Sequence, residues 1–171
     1  ATVRTLVAAY QSIKPGEHAL SHRHTPNALR IIIDGHGTYT VVNGTRVEIR
    51  PGDVLLTPSW NWHSHEAIGP DDCFWVDVLD VPLVHLLEPM FFERHPDRFE
   101  PVQANVESCP LAFRWEDSLR LLDAQTAPPP HGTAEREIEL GAPAMKTVAI
   151  HVQRMGAGFT SAEHRTTANA V

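Results

Sequence analysis

The chain has 171 residues, a net charge of −7, 42% apolar residues and no basic run. That balance excludes a phosphate-tracking nucleic-acid binder and leaves enough apolar sequence for an ordinary buried core. No apolar stretch reaches the length of a membrane span, the N-terminus has no signal-peptide pattern, and Cys73 and Cys109 form no metal-type spacing, so a cytoplasmic protein with no membrane or nucleic-acid partner is expected.

Residues 3–80 read as strands. Thr5 to Ile13 is β-rich and leads through Gly16 into His22-Arg23-His24, whose two histidines share one face of a strand because side chains alternate. Leu29 to Ile33 is a branched apolar run. Thr38 to Val42 and Thr45 to Ile49 flank Asn43-Gly44, a strong hairpin signal. After the Pro51-Gly52-Asp53 turn, the apolar run Val54-Leu55-Leu56 predicts a strand that His63 ends, and Cys73 to Leu79 is a further strand. Many short strands separated by turn residues indicate an all-β sandwich or barrel. From Val81 the pattern changes: Pro82 to Phe92 and Phe113 to Ala124 have helical spacing, Pro128-Pro129-Pro130 reads as a linker, and strand-like sequence resumes near Lys146.

That last stretch repeats the beginning. Residues 22–29 and 164–171 share five of eight positions, and Gly16 and Gly158 each stand six residues before the aligned histidine. The expected organisation is a barrel over 1–80, a helical connector and linker over 81–145, and over 146–171 the first strands of a second, incomplete unit. Unpaired edges at that end would need partners. The strand near Val148 to Gln153 is therefore expected in a sheet with residues outside its own unit, in a dimer.

Of eleven histidines, five fall within 18–24 and 63–65. His22, His24 and His63, converging from two strands, form a site for one divalent first-row metal per chain. The motif positions are those of the cupins. Gly16, His22, His24 and Gly35 meet G-x5-H-x-H-x3-E-x6-G with Ala28 in the glutamate slot. Gly52, Pro58 and His63 meet G-x5-P-x-G-x2-H-x3-N with Trp60 and Ala67 in the glycine and asparagine slots. The segments His22 to Arg30 and Thr57 to His65 resemble the gentisate 1,2-dioxygenase family and its salicylate and 1-hydroxy-2-naphthoate relatives, two-cupin proteins about twice this length.

The resemblance implies a cupin barrel, a double-stranded β-helix or jelly roll, holding Fe(II) on His22, His24 and His63. It implies an extradiol-type dioxygenase acting on a small hydroxylated aromatic acid and O2, opening gentisate to maleylpyruvate, in a homo-oligomer (dimer or tetramer). Thr166 stands where the second unit would need the counterpart of His24, so a second metal site is not expected. Arg30 shares parity with Ala28: it either grips the substrate carboxylate or pairs with an acid at the barrel mouth. His65 faces the same way as His63, either as a proton handler beside a ring hydroxyl or as a solvated rim histidine. Asp77, in an apolar strand, needs a partner, which His65, a substrate hydroxyl or an arginine would supply. Gln11 shares parity with Val7, Ala9 and Ile13 and either lines the pocket, with Val7 and Ala9 as its wall, or is a buried, satisfied amide. Trp60, Trp62 and the remaining histidines read as packing or surface residues. A cupin that binds metal or a small acid without turnover, or a different cupin enzyme such as an isomerase, are the competing readings.

Overall fold

The structure is a computed structural model that describes residues 2–141 and 143–171. Its strands are β1 (Val7–Ile13), β2 (His18–His24), β3 (Ala28–Asp34), β4 (Thr38–Val42), β5 (Thr45–Ile49), β6 (Val54–Thr57), β7 (His63–Ala67) and β8 (Cys73–Leu79). Helix α1 (Val81–Leu86), strands β9 (Phe92–Arg94), β10 (Ala104–Val106) and β11 (Ala112–Phe113), helix α2 (Trp115–Ala124), and β12 (Arg136–Leu140) and β13 (Ile150–Arg154) complete the chain order.

Two sheets face each other, ordered β1-β8-β3-β6-β11 and β10-β5-β4-β7-β2-β9. All pairings within them are antiparallel except β10 with β5. This is the jelly-roll barrel that the cupin resemblance implies, one of the two all-β architectures that the strand pattern allows. Asn43 and Gly44 both take positive φ (46° and 76°), the conformation of the tight hairpin turn that joins β4 to β5. Between the sheets, Ile13, Ile32, Val47, Ile49, Leu55, Cys73 and Trp75 form the inner core. Alternation along the same strands sends Leu29, Val54, Leu56 and Val78 outward, where Leu122 of α2 and Ile138, Leu140, Met145 and Ile150 cover them in a second core.

Several expectations need correction. His63 does not end the strand of Val54–Leu56 but opens β7, because residues 58–62 turn between the two, with Trp60 at φ 62°. The helix expected to reach Phe92 stops at Leu86, before Pro89, whose ring disfavours helical backbone in the residue ahead of it. Phe92 instead enters β9, which pairs with β2. The segment 81–145 is more than a helical connector: β9, β10 and β11 extend the edges of both barrel sheets.

Strand β13 pairs with β12, outside 146–171 but in the same chain, so its edge partner is intramolecular. Gly158, in the turn after β13, has φ 84°, and Gly16, in the turn after β1, has φ 81°, so the sequence repeat has a counterpart in the backbone. Among the described residues no helix is long and apolar enough to cross a membrane.

Candidate metal centre

His22 and His24 sit on β2 and His63 on β7, the neighbouring strand. Pairing between these strands slips from Ala19–His65 to His22–His63, a bulge that places Leu20 and Ser21 against Ser64. Simple alternation from Ala19 would turn His22 outward; the bulge turns it to the inner face beside His63. The ligand-capable nitrogens of His22, His24 and His63 lie within 4.8 Å of one another. Ring centroids are 4.2 Å apart for His22 and His63, 4.9 Å for His24 and His63, and 5.8 Å for His22 and His24.

Each imidazole is oriented by its own loop or strand. Nδ1 of His22 lies 2.8 Å from the Leu20 carbonyl, that of His24 2.8 Å from the Pro26 carbonyl, and that of His63 3.0 Å from the Asn61 carbonyl. A carbonyl can only accept, so each Nδ1 carries the proton and each Nε2 presents a lone pair, the arrangement of metal-bound histidine. His63 Nε2 is buried without a hydrogen-bond partner. Burial, with the charge of Arg30 and the neighbouring imidazoles, pushes the His63 pKa down to about 2; burial likewise lowers that of His24. Neutral donors with a buried, unpartnered nitrogen fit a divalent first-row ion. Ala28, fully buried, adds no carboxylate.

The other predicted residues are distributed around this trio. Arg30 is 4% exposed and places Nε 3.0 Å from Asp77 Oδ1, its register partner across β3 and β8, while its Nη1 donates to Thr57 Oγ1 at 3.1 Å. The Nε approach is off the hydrogen-bond axis, so both Arg30 Nε and Asp77 Oδ1 keep unused bonding capacity. Of the partners considered for Asp77, the arginine is the one brought to it; no hydrogen bond joins it to His65 among the described residues. His65 is buried, its ring 6.2 Å from that of His63 and 5.6 Å from Trp75, and burial and Arg30 hold its pKa well below the usual histidine range. Gln11 is exposed on β1 opposite Trp75, which removes the buried-amide reading.

Three contributions escaped the sequence. Phe92 stacks on His22 (5.4 Å, 26°); its alternation with Glu93 and Arg94 was the available signal, hidden under a helical reading. Arg23 lies 4.5 Å from both the Trp60 and the Trp62 rings and binds Glu93, so these indoles stack on a cation rather than merely filling space. Asn27 ties the ligand-bearing loops together: its amide oxygen accepts from Ser59 N–H (2.9 Å), and its backbone N–H and side chain donate to Asp80 (2.7 and 3.0 Å).

Beside His22 a groove of about 450 Å³ is lined by Leu20, Phe92, Arg94, His95 and Arg98. Another cavity of about 260 Å³, lined by Val42, Val47, Leu55 and Leu111, includes none of the three imidazoles in its wall.

Comparison with known proteins agrees with this geometry. The cupin domain family matches residues 9–79. The gentisate 1,2-dioxygenase of a Streptomyces species is 34% identical over 98% of this chain and 56% of its own length. The 1-hydroxy-2-naphthoate 1,2-dioxygenase of Nocardioides sp. strain KP7 is 31% identical over all of this chain and 51% of its own. Salicylate 1,2-dioxygenase from Pseudoaminobacter salicylatoxidans, crystallised as an adduct with gentisate, superposes with a TM-score of 0.77 at 28% identity, covering 86% of this chain and 50% of that one. The chain thus spans about half the length of the relatives it matches. Residues 9–79 match the cupin domain family, and over about half of their length gentisate, salicylate and 1-hydroxy-2-naphthoate 1,2-dioxygenases are similar to this chain.

Proposed function

We propose that this chain is the metal-binding cupin of an Fe(II)-dependent dioxygenase. Its substrate would be a hydroxylated aromatic carboxylic acid of the gentisate type, cleaved between the carboxyl-bearing and hydroxyl-bearing carbons. The observation that carries this is the set of three neutral imidazoles with carbonyl-bound Nδ1 atoms and converging Nε2 atoms, that of His63 buried and unpartnered. His22, His24 and His63 would hold the ion, one per chain. When bound, Fe(II) would supply a redox-active Lewis acid with positions left for an aromatic acid and O2.

The chain's own residues prepare the substrate. Arg30 donates to an anionic oxygen of the acid, and Asp77 holds the guanidinium in place. The unused capacity of Asp77 Oδ1 accepts a ring hydroxyl. His65, kept neutral, exchanges a proton with a ring hydroxyl as the ring opens. Trp75 gives the ring a buried apolar wall, Phe92 an exposed aromatic face at the rim, and Gln11, exposed on β1 opposite Trp75, borders the open edge. For gentisate, both atoms of O2 enter the product and one ring carbon–carbon bond breaks, giving maleylpyruvate with no other oxidant required.

The test is anaerobic loading with Fe(II), then addition of gentisate and O2 while recording oxygen uptake and ultraviolet absorbance. Equimolar consumption of O2 and gentisate with a ring-opened product is expected. Stoichiometric metal uptake without oxygen consumption would leave a binding module instead, and failure to take up metal would end the reading at its foundation.

A further inference from the structure

The cations around the centre are not equally available. Arg30 is buried and its charge is matched by Asp77 at 3.0 Å. Arg23 is taken by Glu93 at 2.5 Å and stacked between two indoles. The Arg30–Asp77 pair is therefore nearly neutral toward an approaching aromatic acid, so beyond the charge of a bound ion any further attraction must come from a cation that no carboxylate neutralises. Among the described residues, Arg94 and Arg98 have no acidic partner, and both line the groove beside His22. Arg94 is the register partner of His22 across β9 and β2, so the two side chains leave the same face of the sheet. Two residues earlier on that face is Phe92, stacked on His22. Unpaired cation and aromatic wall thus lie on edge strand β9, directly beside the candidate metal ligand on β2. A flat anion with an aromatic ring matches that sequence of surfaces.

We infer that Arg94, with Arg98 beside it on the same groove, is the specificity-determining cation that admits aromatic carboxylates, rather than neutral phenols, to the metal centre. The inference rests on the dioxygenase reading above, and it assigns acid selection to β9, outside the segment that carries the histidine motifs. Phe92 supplies the ring contact, and Arg94 adds an unpaired positive charge on the approach to the one a bound ion would carry. The exposure of Arg94 means that it acts across partly solvated distance, so its contribution falls as salt rises.

The test compares gentisate with hydroquinone, the same ring without the carboxylate. Each is titrated without oxygen into the iron-loaded full chain, wild type, Arg94→Gln and Arg94→Lys, with binding read calorimetrically and metal content measured first. Arg94→Gln should weaken gentisate binding by about tenfold at low salt and leave hydroquinone binding unchanged. Arg94→Lys should recover most of the loss. In about 1 M salt, where the Debye length is about 3 Å, wild type and Arg94→Gln should converge. Unchanged gentisate affinity in Arg94→Gln, with wild type binding normally, would overturn the role of Arg94 alone. An equal loss for both ligands would overturn it too, by showing a structural effect. Failure of iron-loaded wild type to bind gentisate would instead remove the dioxygenase reading, and this inference with it.

Discussion

Burial divides the three candidate ligands. His63 is 1% exposed, whereas His22 and His24 are only partly buried. His63→Ala therefore removes a donor and empties a packed position, so it should abolish metal uptake and also lower the melting temperature of metal-free protein. His22→Ala should abolish uptake with little change in that melting temperature. Elemental analysis and thermal melts check both, and near-stoichiometric metal in either variant would refute the assignment. The Arg30–Asp77 pair gives a second residue-scale prediction. Removing one member strands a charge in the interior, so Asp77→Ala should cost about 3–5 kcal/mol in denaturant unfolding. The double variant Arg30→Met, Asp77→Leu should recover most of this loss; a double variant no better than the single would mean the pair is not electrostatically linked. Trp60 shows why a motif slot is conformational: it occupies the glycine position of the cupin pattern at φ 62°, where a bulky residue is strained. Its backbone N–H on the His24 carbonyl (2.8 Å) and the Arg23 stack oppose that strain.

At the scale of elements, the site depends on irregularities in the strands. The β2 bulge aims His22, and the turn at 58–62 lets His63 begin a strand opposite it. The β4–β5 hairpin is braced from the same region: Glu100 accepts the Gly44 N–H at 2.7 Å, and its own N–H donates to Ser21 Oγ at the bulge. Burial pushes the Glu100 carboxyl above the ordinary range, with the Gly44 N–H pulling partly back. A carboxyl whose folded pKa is raised disfavours the folded state when ionised. That penalty is absent below the unfolded value, about pH 4.3, and grows as pH rises through the folded value. Glu100→Gln keeps an acceptor for Gly44 without the charge. Its melting temperature should exceed that of wild type at neutral pH, and the two should converge below about pH 4. A variant less stable at neutral pH would show that the Gly44 contact requires the carboxylate.

Across the whole molecule, the barrel shares a core with α2, β12 and β13. Leu122 of α2, 1% exposed, packs with Leu29, Leu56 and Val78 on the outer face of one barrel sheet and with Ile138, Leu140 and Ile150 beyond it. Asp80, fully buried, accepts from Asn27 and from Thr147, joining the loop behind His24 to the segment that opens the repeat. These contacts predict one cooperative unfolding transition. Leu122→Ala should lower stability by about 2–5 kcal/mol and shift far- and near-ultraviolet circular dichroism together. Two separated transitions would show that residues 115–155 fold apart from the barrel.

The glycine, proline and histidine spacings determined the barrel, its hairpin and the convergence of three histidines, because strand alternation and turn chemistry are local and leave a periodic trace in sequence. Asn43-Gly44, Thr38–Val42 and Cys73–Leu79 were legible for that reason. The inward bulge at Leu20 and Ser21, the pairing of Asp77 with Arg30 rather than His65, and the recruitment of Phe92 and Arg94 to an edge strand were decided only in three dimensions. Each depends on which strand lies alongside which, and on a buried charge finding whichever partner the register brings near. For residues 146–171 the sequence offered a likeness to the opening strands, but only packing against the barrel's outer sheet fixed where β13 goes, since apolar faces are covered by proximity and shape, not by position in the chain.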